Sequence, residues 1–562
     1  MWHDEGVWVH NARNEAIWGT WRTDNWNPVF IAPVFTAFEY AAFKMFGVGT
    51  WQARTVPVAS GLVALAALMI GLSATWSARN RETGRRVALI GGALLAYDFT
   101  WIMWNRAALM ESTMTAFIVV AWAAYAVGER TPLAAFIAGV ATVLAWFTKA
   151  SAAFFAAAII IDALWTIAVH QFSGLRTRLS VSDPDPKMVR GAWFTLIGLA
   201  VAAGVIVATF VVPHWHDYEF YNWTTSVERK PTYDLHSMID RATWLPIVQD
   251  FFTRMWLVFL CAALAILGIF ARWRDARPAE RLLVLWMLMG FFELVVHDAG
   301  NERRYVMFLP AIVALAAGLV ASGAAWLPEA LSHARVSIRL AAAPLVALLS
   351  YLVFGSALRW FYEADVQAHV LKMPVRISFG ISVAIVALLL AFWGPVISWL
   401  AARRVSFYAA VVLVTLSMAW NVGQYVRWAS THQYLNYNAS VEIGRLLVPG
   451  TVVQGKLANG MALENRIRPI FVGNGFGNYA DRFDRNDARY ILTYGLPQVG
   501  FESGVSSGLI PGILDHYPNR RIVATFEVDE TPGPDEAWLI EKAPAATSLT
   551  GAAVSGSSRA PD

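Results

Sequence analysis

Two adjacent carboxylates, in His3-Asp4-Glu5-Gly6, stand at the head of a chain that is otherwise almost all apolar. A carboxylate beside a bilayer is costly unless it meets water, a metal, a substrate or a basic partner. The stretch that follows, through Asn11-Ala12-Arg13 to Asn25-Trp26-Asn27-Pro28, is polar and Trp-rich, as segments at a membrane interface are. Further polar groups stand out against the apolar runs: Arg106 with Glu111, Lys149, the group His214, His216 and Asp217, and Glu302-Arg303-Arg304-Tyr305. A carboxylate can deprotonate an acceptor. Guanidinium and ammonium groups can hold a phosphate and stabilise it as it departs.

Each group also has a plainer reading. Asp4 and Glu5 can be a solvated terminus. Arg106 and Glu111 can pair across a helix turn. Lys149 can snorkel to the interface. Arg303 and Arg304 can anchor a helix end, although basic residues on the outer side run against the usual bias. His214, His216 and Asp217 read better as an ordinary polar loop than as a metal site, and His297 with Asp298 has the same weakness. Tyr233 and His236 form no usable pattern.

The elements that must position these groups are mostly spans. The chain is 57% hydrophobic and 15% charged, more apolar and less charged than soluble domains. Its 26 Trp residues suit interface belts. Apolar runs of about 20 residues predict about twelve spanning helices, at 51–75, 87–104, 112–127, 133–149, 151–169, 191–213, 251–271, 282–297, 306–326, 340–361, 374–400 and 405–426. The amphipathic stretch Pro33–Phe46 reads as an interfacial helix. Met1 leads directly into polar residues, so no cleavable signal peptide is expected. The one cysteine, Cys261, excludes an intrachain disulfide. No basic patch suits nucleic acid: the arginines sit in short loops, as topology explains.

Alternate loops carry Arg79, Arg81, Arg85 and Arg86; Arg130; Arg176, Arg178, Lys187 and Arg190; Arg272, Arg274, Arg277 and Arg281; Arg335 and Arg339; and Arg403 and Arg404. These loops are expected to be cytoplasmic. Both ends of the chain, the loops 214–250 and 298–305, and all the candidate residues above then fall on the outer face of a multi-pass cell-membrane protein. Residues 430–542 change character. A helix is expected near 437–447, with short strands at Thr451–Val453, Ile470–Val472, Tyr490–Leu492, Ile522–Phe526 and Trp538–Ile540. The predicted organisation is an external loop with interfacial helices over 1–50, a transmembrane domain over 51–429, a small extracytoplasmic α/β domain over 430–542 and a disordered tail over 543–562. The fold class is an all-α polytopic membrane protein with that α/β addition.

An external carboxylate with cations for an anionic leaving group fits a lipid-phosphate-linked sugar donor, whose tail lies in the bilayer and whose phosphate sits at the interface. An inverting transfer needs one base, whereas a second, nucleophilic carboxylate belongs to retaining double displacement. The rival class is a membrane transporter or lipid-linked sugar flippase. It predicts polar residues in mid-span and two related halves, whereas the spans here read as mostly clean, no repeat is seen and the polar groups gather at one face.

Taken in order, Asp4-Glu5, Asn11-Ala12-Arg13, Pro33, Phe46-Gly47, Ala53-Arg54, Arg106 with Glu111, Thr148-Lys149 and Arg304-Tyr305 followed by Pro310 resemble the polyprenyl-phosphate-sugar-dependent glycosyltransferases of the GT-C fold. The pattern is similar to glycosyltransferase family 39/83, the protein mannosyltransferase and aminoarabinose transferase group. The resemblance covers residues 1–430, with the C-terminal domain in general layout. It implies that Asp4, with Glu5, is the catalytic acidic motif. Glu111 and Arg106 would position the acceptor or a cation, and Arg304, Arg303, Lys149 and Tyr305 would bind the donor phosphate. The implied partners are a polyprenyl-phosphate sugar donor, a protein, lipid or glycan acceptor, and membrane lipids. The transferred group is a hexose or pentose. Use of a divalent metal differs among relatives and stays open. Such proteins usually carry a transmembrane helix before the acidic motif, so a missing first helix, the thirteenth, is expected ahead of this start.

Overall fold

The computed structural model describes residues 3–77, 80–179, 183–228, 253–297, 302–321, 339–340, 343–344, 346–347, 350–351, 372–395, 405–473, 476–477, 488–494, 517–528 and 535–542. The expected span at 340–361 lies largely outside these residues, and Tyr233, His236, Asp298 and the tail from 543 lie wholly outside them. Two compact units divide the chain. One comprises Met1–Pro28, Phe43–Thr50 and Gln433–Asp562, and the other Val29–Ala42 and Trp51–His432.

The larger unit is helical. Among the described residues six helices are long and apolar enough to cross a membrane: Thr50–Trp76, Met110–Gly128, Ala150–Gln171, Pro186–Val211, Arg254–Ala271 and Arg303–Ala321. The expected span 87–104 is instead a broken pair, Arg81–Ala96 and Phe99–Asn105, bent by 63°. Asp98 is the reason: its extended backbone interrupts the helix and its carboxylate caps Trp101 N–H at 2.7 Å. The helix Pro132–Thr148 is shorter than a full span. Lys372–Ala391 and Val405–Thr431 are also helical.

The helix Met110–Gly128 is central, with 78% of its apolar window buried in the protein, against 17% for Pro186–Val211. Helix packing in lipid relies on close van der Waals contact, because the hydrophobic effect does not drive it. Gly139 and Gly198 supply one such contact. A Cβ on Gly139 would lie 2.2 Å from Thr195 O, and one on Gly198 would lie 2.1 Å from Phe136 O. The unit's core contains Trp122, Phe155, Trp286, Tyr305 and Phe308, all fully enclosed.

The smaller unit holds a mixed sheet. Its strands are β1 Val452–Gln454, β2 Arg468–Ile470, β5 Tyr490–Tyr494, β6 Arg521–Val528 and β7 Asp535–Glu541, in the order β2-β1-β5-β7-β6; a two-stranded hairpin, β3 Val472–Gly473 with β4 Phe476–Gly477, stands apart. The β2-β1-β5 pairs are parallel, and β7 runs antiparallel to β5 and β6. The helix Leu435–Leu446 covers this sheet through Ala439 and Ile443. The short helices His3–Trp8 and His10–Trp18 belong to the same unit.

Candidate active site

In the helical unit, Glu111 lies in the first turn of Met110–Gly128, where the helix dipole favours a carboxylate. Its side chain is buried. Lys149 lies in extended backbone between Pro132–Thr148 and the next helix. Its ammonium Nζ donates to Glu111 Oε1 at 2.8 Å, and Arg303 Nε approaches the same oxygen at 3.3 Å. Arg304 is near enough to act on the charge of Lys149. These four groups sum to one negative and three positive charges, a formal +2 that complements a phosphate.

Arg303 and Arg304 sit on a tight turn, Glu302–Phe308, that leads into Leu309–Ala321. The turn is fixed from behind. Phe308 stacks on Phe291 with centroids 4.6 Å apart, and Trp286 Nε1 donates to Met307 O at 3.1 Å. Tyr305, expected at the donor phosphate, is fully enclosed in the helical core. There it packs within the core that backs the turn.

Arg106 ends the short helix Phe99–Asn105 and lies over the Trp428 ring at 4.6 Å. Asn421 Oδ1 accepts from Phe99 N–H at 2.8 Å, and the Tyr425 hydroxyl donates to Asp98 O at 3.4 Å. Asn421, Tyr425 and Trp428 recur at i, i+4 and i+7, so one face of Val405–Thr431 braces the broken span. Sequence reasoning missed these three. Their signal was polar and aromatic residues at helical spacing within an apolar run. Glu111 pairs with Lys149 and Arg303, and Arg106 lies over Trp428.

Asp4 and Glu5 belong to the smaller unit, on the helix His3–Trp8. Glu5 is fully buried and Asp4 half-buried. This helix lies backbone-close to Lys456–Gly460: a Cβ on Gly6 would fall 2.0 Å from Asn459 O. The following helix is tied down by Arg13, whose guanidinium donates to Ala462 O, Asn465 O and Ile467 O at 3.0, 3.1 and 3.0 Å. Burial, and then the neighbouring charge of Arg466, push the Arg13 guanidinium down to about 9, so it stays charged at neutral pH. His10 Nε2 lies 3.0 Å from Asp24 Oδ1, and Asp24 Oδ2 accepts from Phe471 N–H at 2.8 Å. Trp26 stacks on Phe471 at 4.8 Å. The polar, Trp-rich stretch is therefore a buried connection to residues 456–471.

His214, His216 and Asp217 fall on or beside the helical turn Trp215–Glu219, and the His214 ring lies 5.8 Å from Phe30. Among the described residues no group of three or more His, Cys, Asp or Glu is arranged to hold a metal. A second charged cluster joins the C-terminal end of Met110–Gly128 to Asp162, in the middle of Ala153–Gln171, and to the start of Pro278–His297. Arg281 pairs with Asp162 at 2.7 Å, Arg272 with Glu280 at 2.5 Å, and Arg277 with Glu129. Tyr125 donates to the other Asp162 oxygen at 2.8 Å. Glu111 and Glu129 bracket a 19-residue helix, so the two clusters stand about 28 Å apart along it. That spacing is close to the ~30 Å of a bilayer's hydrocarbon core.

The helical unit, with several helices long and apolar enough to cross a membrane, and the small α/β unit give this membrane protein the GT-C fold. No family model and no curated protein matches the chain. Solved structures do. ArnT from Cupriavidus metallidurans in the apo state aligns with a TM-score of 0.50 and 16% identity, over 95% of this chain and 93% of that one. ArnT bound to undecaprenyl phosphate gives 0.47, 16%, 95% and 93%. The Archaeoglobus fulgidus oligosaccharyltransferase AglB, in complex with an inhibitory peptide and a dolichol-phosphate, gives 0.44, 13%, 87% and 65%. At these identities the likeness to apo ArnT is one of fold, and the GT-C fold expected from the sequence is the fold observed.

Proposed function

We propose that this protein is an integral membrane glycosyltransferase. It moves a sugar, with inversion, from a polyprenyl-phosphate carrier to a protein, lipid or glycan acceptor on the extracytoplasmic face. The observation that carries this reading is the meeting of Lys149 and Arg303 on Glu111 at the ends of spanning helices, with Arg304 next to Arg303 in the same turn. A lipid-borne phosphate arrives at that depth, with its chain in hydrocarbon and its charge at the boundary. Three cations offset its growing negative charge as the glycosidic bond breaks. Glu111 keeps Lys149 and Arg303 aimed and lowers the cost of burying them. The fold is shared with ArnT, a protein that has also been solved with undecaprenyl phosphate bound, in keeping with a lipid-phosphate donor here.

The base in this proposal is Asp4. Glu5 is fully enclosed, while Asp4 remains half-exposed and able to meet an acceptor. A base here need only take the acceptor proton. The deciding experiment incubates purified protein with a polyprenyl-phosphate sugar and follows both transfer to acceptors and movement of the carrier across liposomes. Transfer supports the proposal; carrier movement without transfer favours a flippase. Asp4→Asn, at equal expression, should lower transfer at least 100-fold. An unchanged rate would remove Asp4 from the mechanism while leaving the phosphate site standing.

A further inference from the structure

At the span ends opposite Glu111, an open groove of about 710 Å³ lies between Thr55–Trp76, Arg81–Ala96 and Met110–Gly128. Its wall is apolar, with Met69, Ile70, Leu89 and Val127, and two arginines, Arg85 and Arg130, also line it. The size falls within the ~300–1,000 Å³ of ligand pockets. Ile70, Arg85 and Leu89 are exposed and Met69 is partly buried, so the groove is open on its outer side.

The arginines on these span ends fall into two classes. Arg272, Arg277 and Arg281 are each held by a buried carboxylate, and Arg86, next in sequence to Arg85, pairs with Glu82. Among the described residues, Arg85 and Arg130 have no carboxylate partner and both are exposed. The positive-inside bias accounts for basic residues on this end. It does not account for two unneutralised guanidiniums converging on one apolar groove. Guanidinium is suited to a phosphate, and basic pockets between spans on the cytoplasmic side suit anionic head groups.

We propose that this groove binds an anionic phospholipid of the surrounding bilayer, with its phosphate held by Arg85 and Arg130 and its upper acyl chains against Met69, Ile70, Leu89 and Val127. The site is remote from the Glu111 cluster and does not depend on the glycosyl-transfer reading. Its ligand is a bilayer lipid, since exposed guanidiniums beside an apolar wall at a span end suit a head-group phosphate with its acyl chains in hydrocarbon.

The test uses the full chain in detergent, titrated with dioleoyl phosphatidylglycerol or dioleoyl phosphatidylcholine and examined by native mass spectrometry. Wild type should retain phosphatidylglycerol preferentially. Arg85→Gln and Arg130→Gln should each weaken that retention roughly fivefold, and together about 20-fold. Arg86→Gln should leave it unchanged. Leu89→Trp, which fills the groove without altering charge, should also lower retention and guards against a misfolded double variant. Retention unchanged in either the double variant or Leu89→Trp overturns the proposal. So does an equal loss with Arg86→Gln, which would mark general surface charge. Undecaprenyl phosphate displacing phosphatidylglycerol at equal concentration would assign the groove to the carrier lipid and overturn it as well.

Discussion

Lys149 Nζ and Glu111 Oε1 lie 2.8 Å apart, and Arg303 Nε shares the same carboxylate oxygen. One buried acid thus aligns cations brought from two other parts of the helical unit. Neither Lys149 nor Arg303 lies near Glu111 in sequence, so the cluster exists only when these helices are packed.

Removing the acid should destabilise the unit. Glu111→Gln leaves two partly buried cations without their anion, at a cost of about 3 kcal/mol. Thermal unfolding in detergent measures this. The exchanged pair Glu111→Lys with Lys149→Glu should recover part of the loss. If the double variant is no better than the sum of its single variants, the pair is not coupled.

Arg304→Lys keeps the charge but loses the planar fork. The expected effect is roughly a tenfold rise in donor KM, since bidentate geometry is lost with charge intact. Turnover at saturating donor should change little. Steady-state kinetics with a polyprenyl-phosphate sugar decides it, and an unaltered KM would take Arg304 out of donor binding.

Trp428→Ala removes the ring beneath Arg106. A cation–π contact of this kind contributes about 0.5–2 kcal/mol, so the fold should survive while Arg106 becomes less well held. We expect transfer to fall several-fold, with Trp428→Phe recovering most of it. Equal loss in both variants would indicate a packing role for Trp428.

Arg13→Ala should loosen the smaller unit. Three backbone carbonyls, of Ala462, Asn465 and Ile467, lose their buried donor, which costs about 3 kcal/mol or more. Limited proteolysis should then cut within residues 1–28 sooner than in wild type. Identical protease protection would show that Arg13 does not hold this segment.

Much of this architecture was legible. Runs such as Thr55–Trp76 and Pro186–Ile206 declared themselves by continuous apolarity. The short apolar runs around Tyr490, Ile522 and Trp538, bounded by turn residues, identified β5, β6 and β7, because β-branched and aromatic residues favour strands locally. The break at Asp98 was hidden, because hydropathy averages across a single polar residue. The brace from Asn421, Tyr425 and Trp428 was hidden as well: its significance depends on Phe99 and Arg106, more than 300 residues away.

Composition and periodicity alone determined that this is a multi-pass helical chain with a small α/β addition, and which charges stand at the ends of its spans. Those properties follow from transfer of side chains between water and hydrocarbon, which each segment settles for itself. The tertiary structure decided which acid meets which base. Lys149 reaches Glu111 across 38 residues and Arg281 reaches Asp162 across 119. It also enclosed Glu5, left Asp4 half-exposed and turned Arg13 into a buried tie. A buried charge is stable only beside its partner, and partners are chosen by helix packing, which no local window of sequence contains.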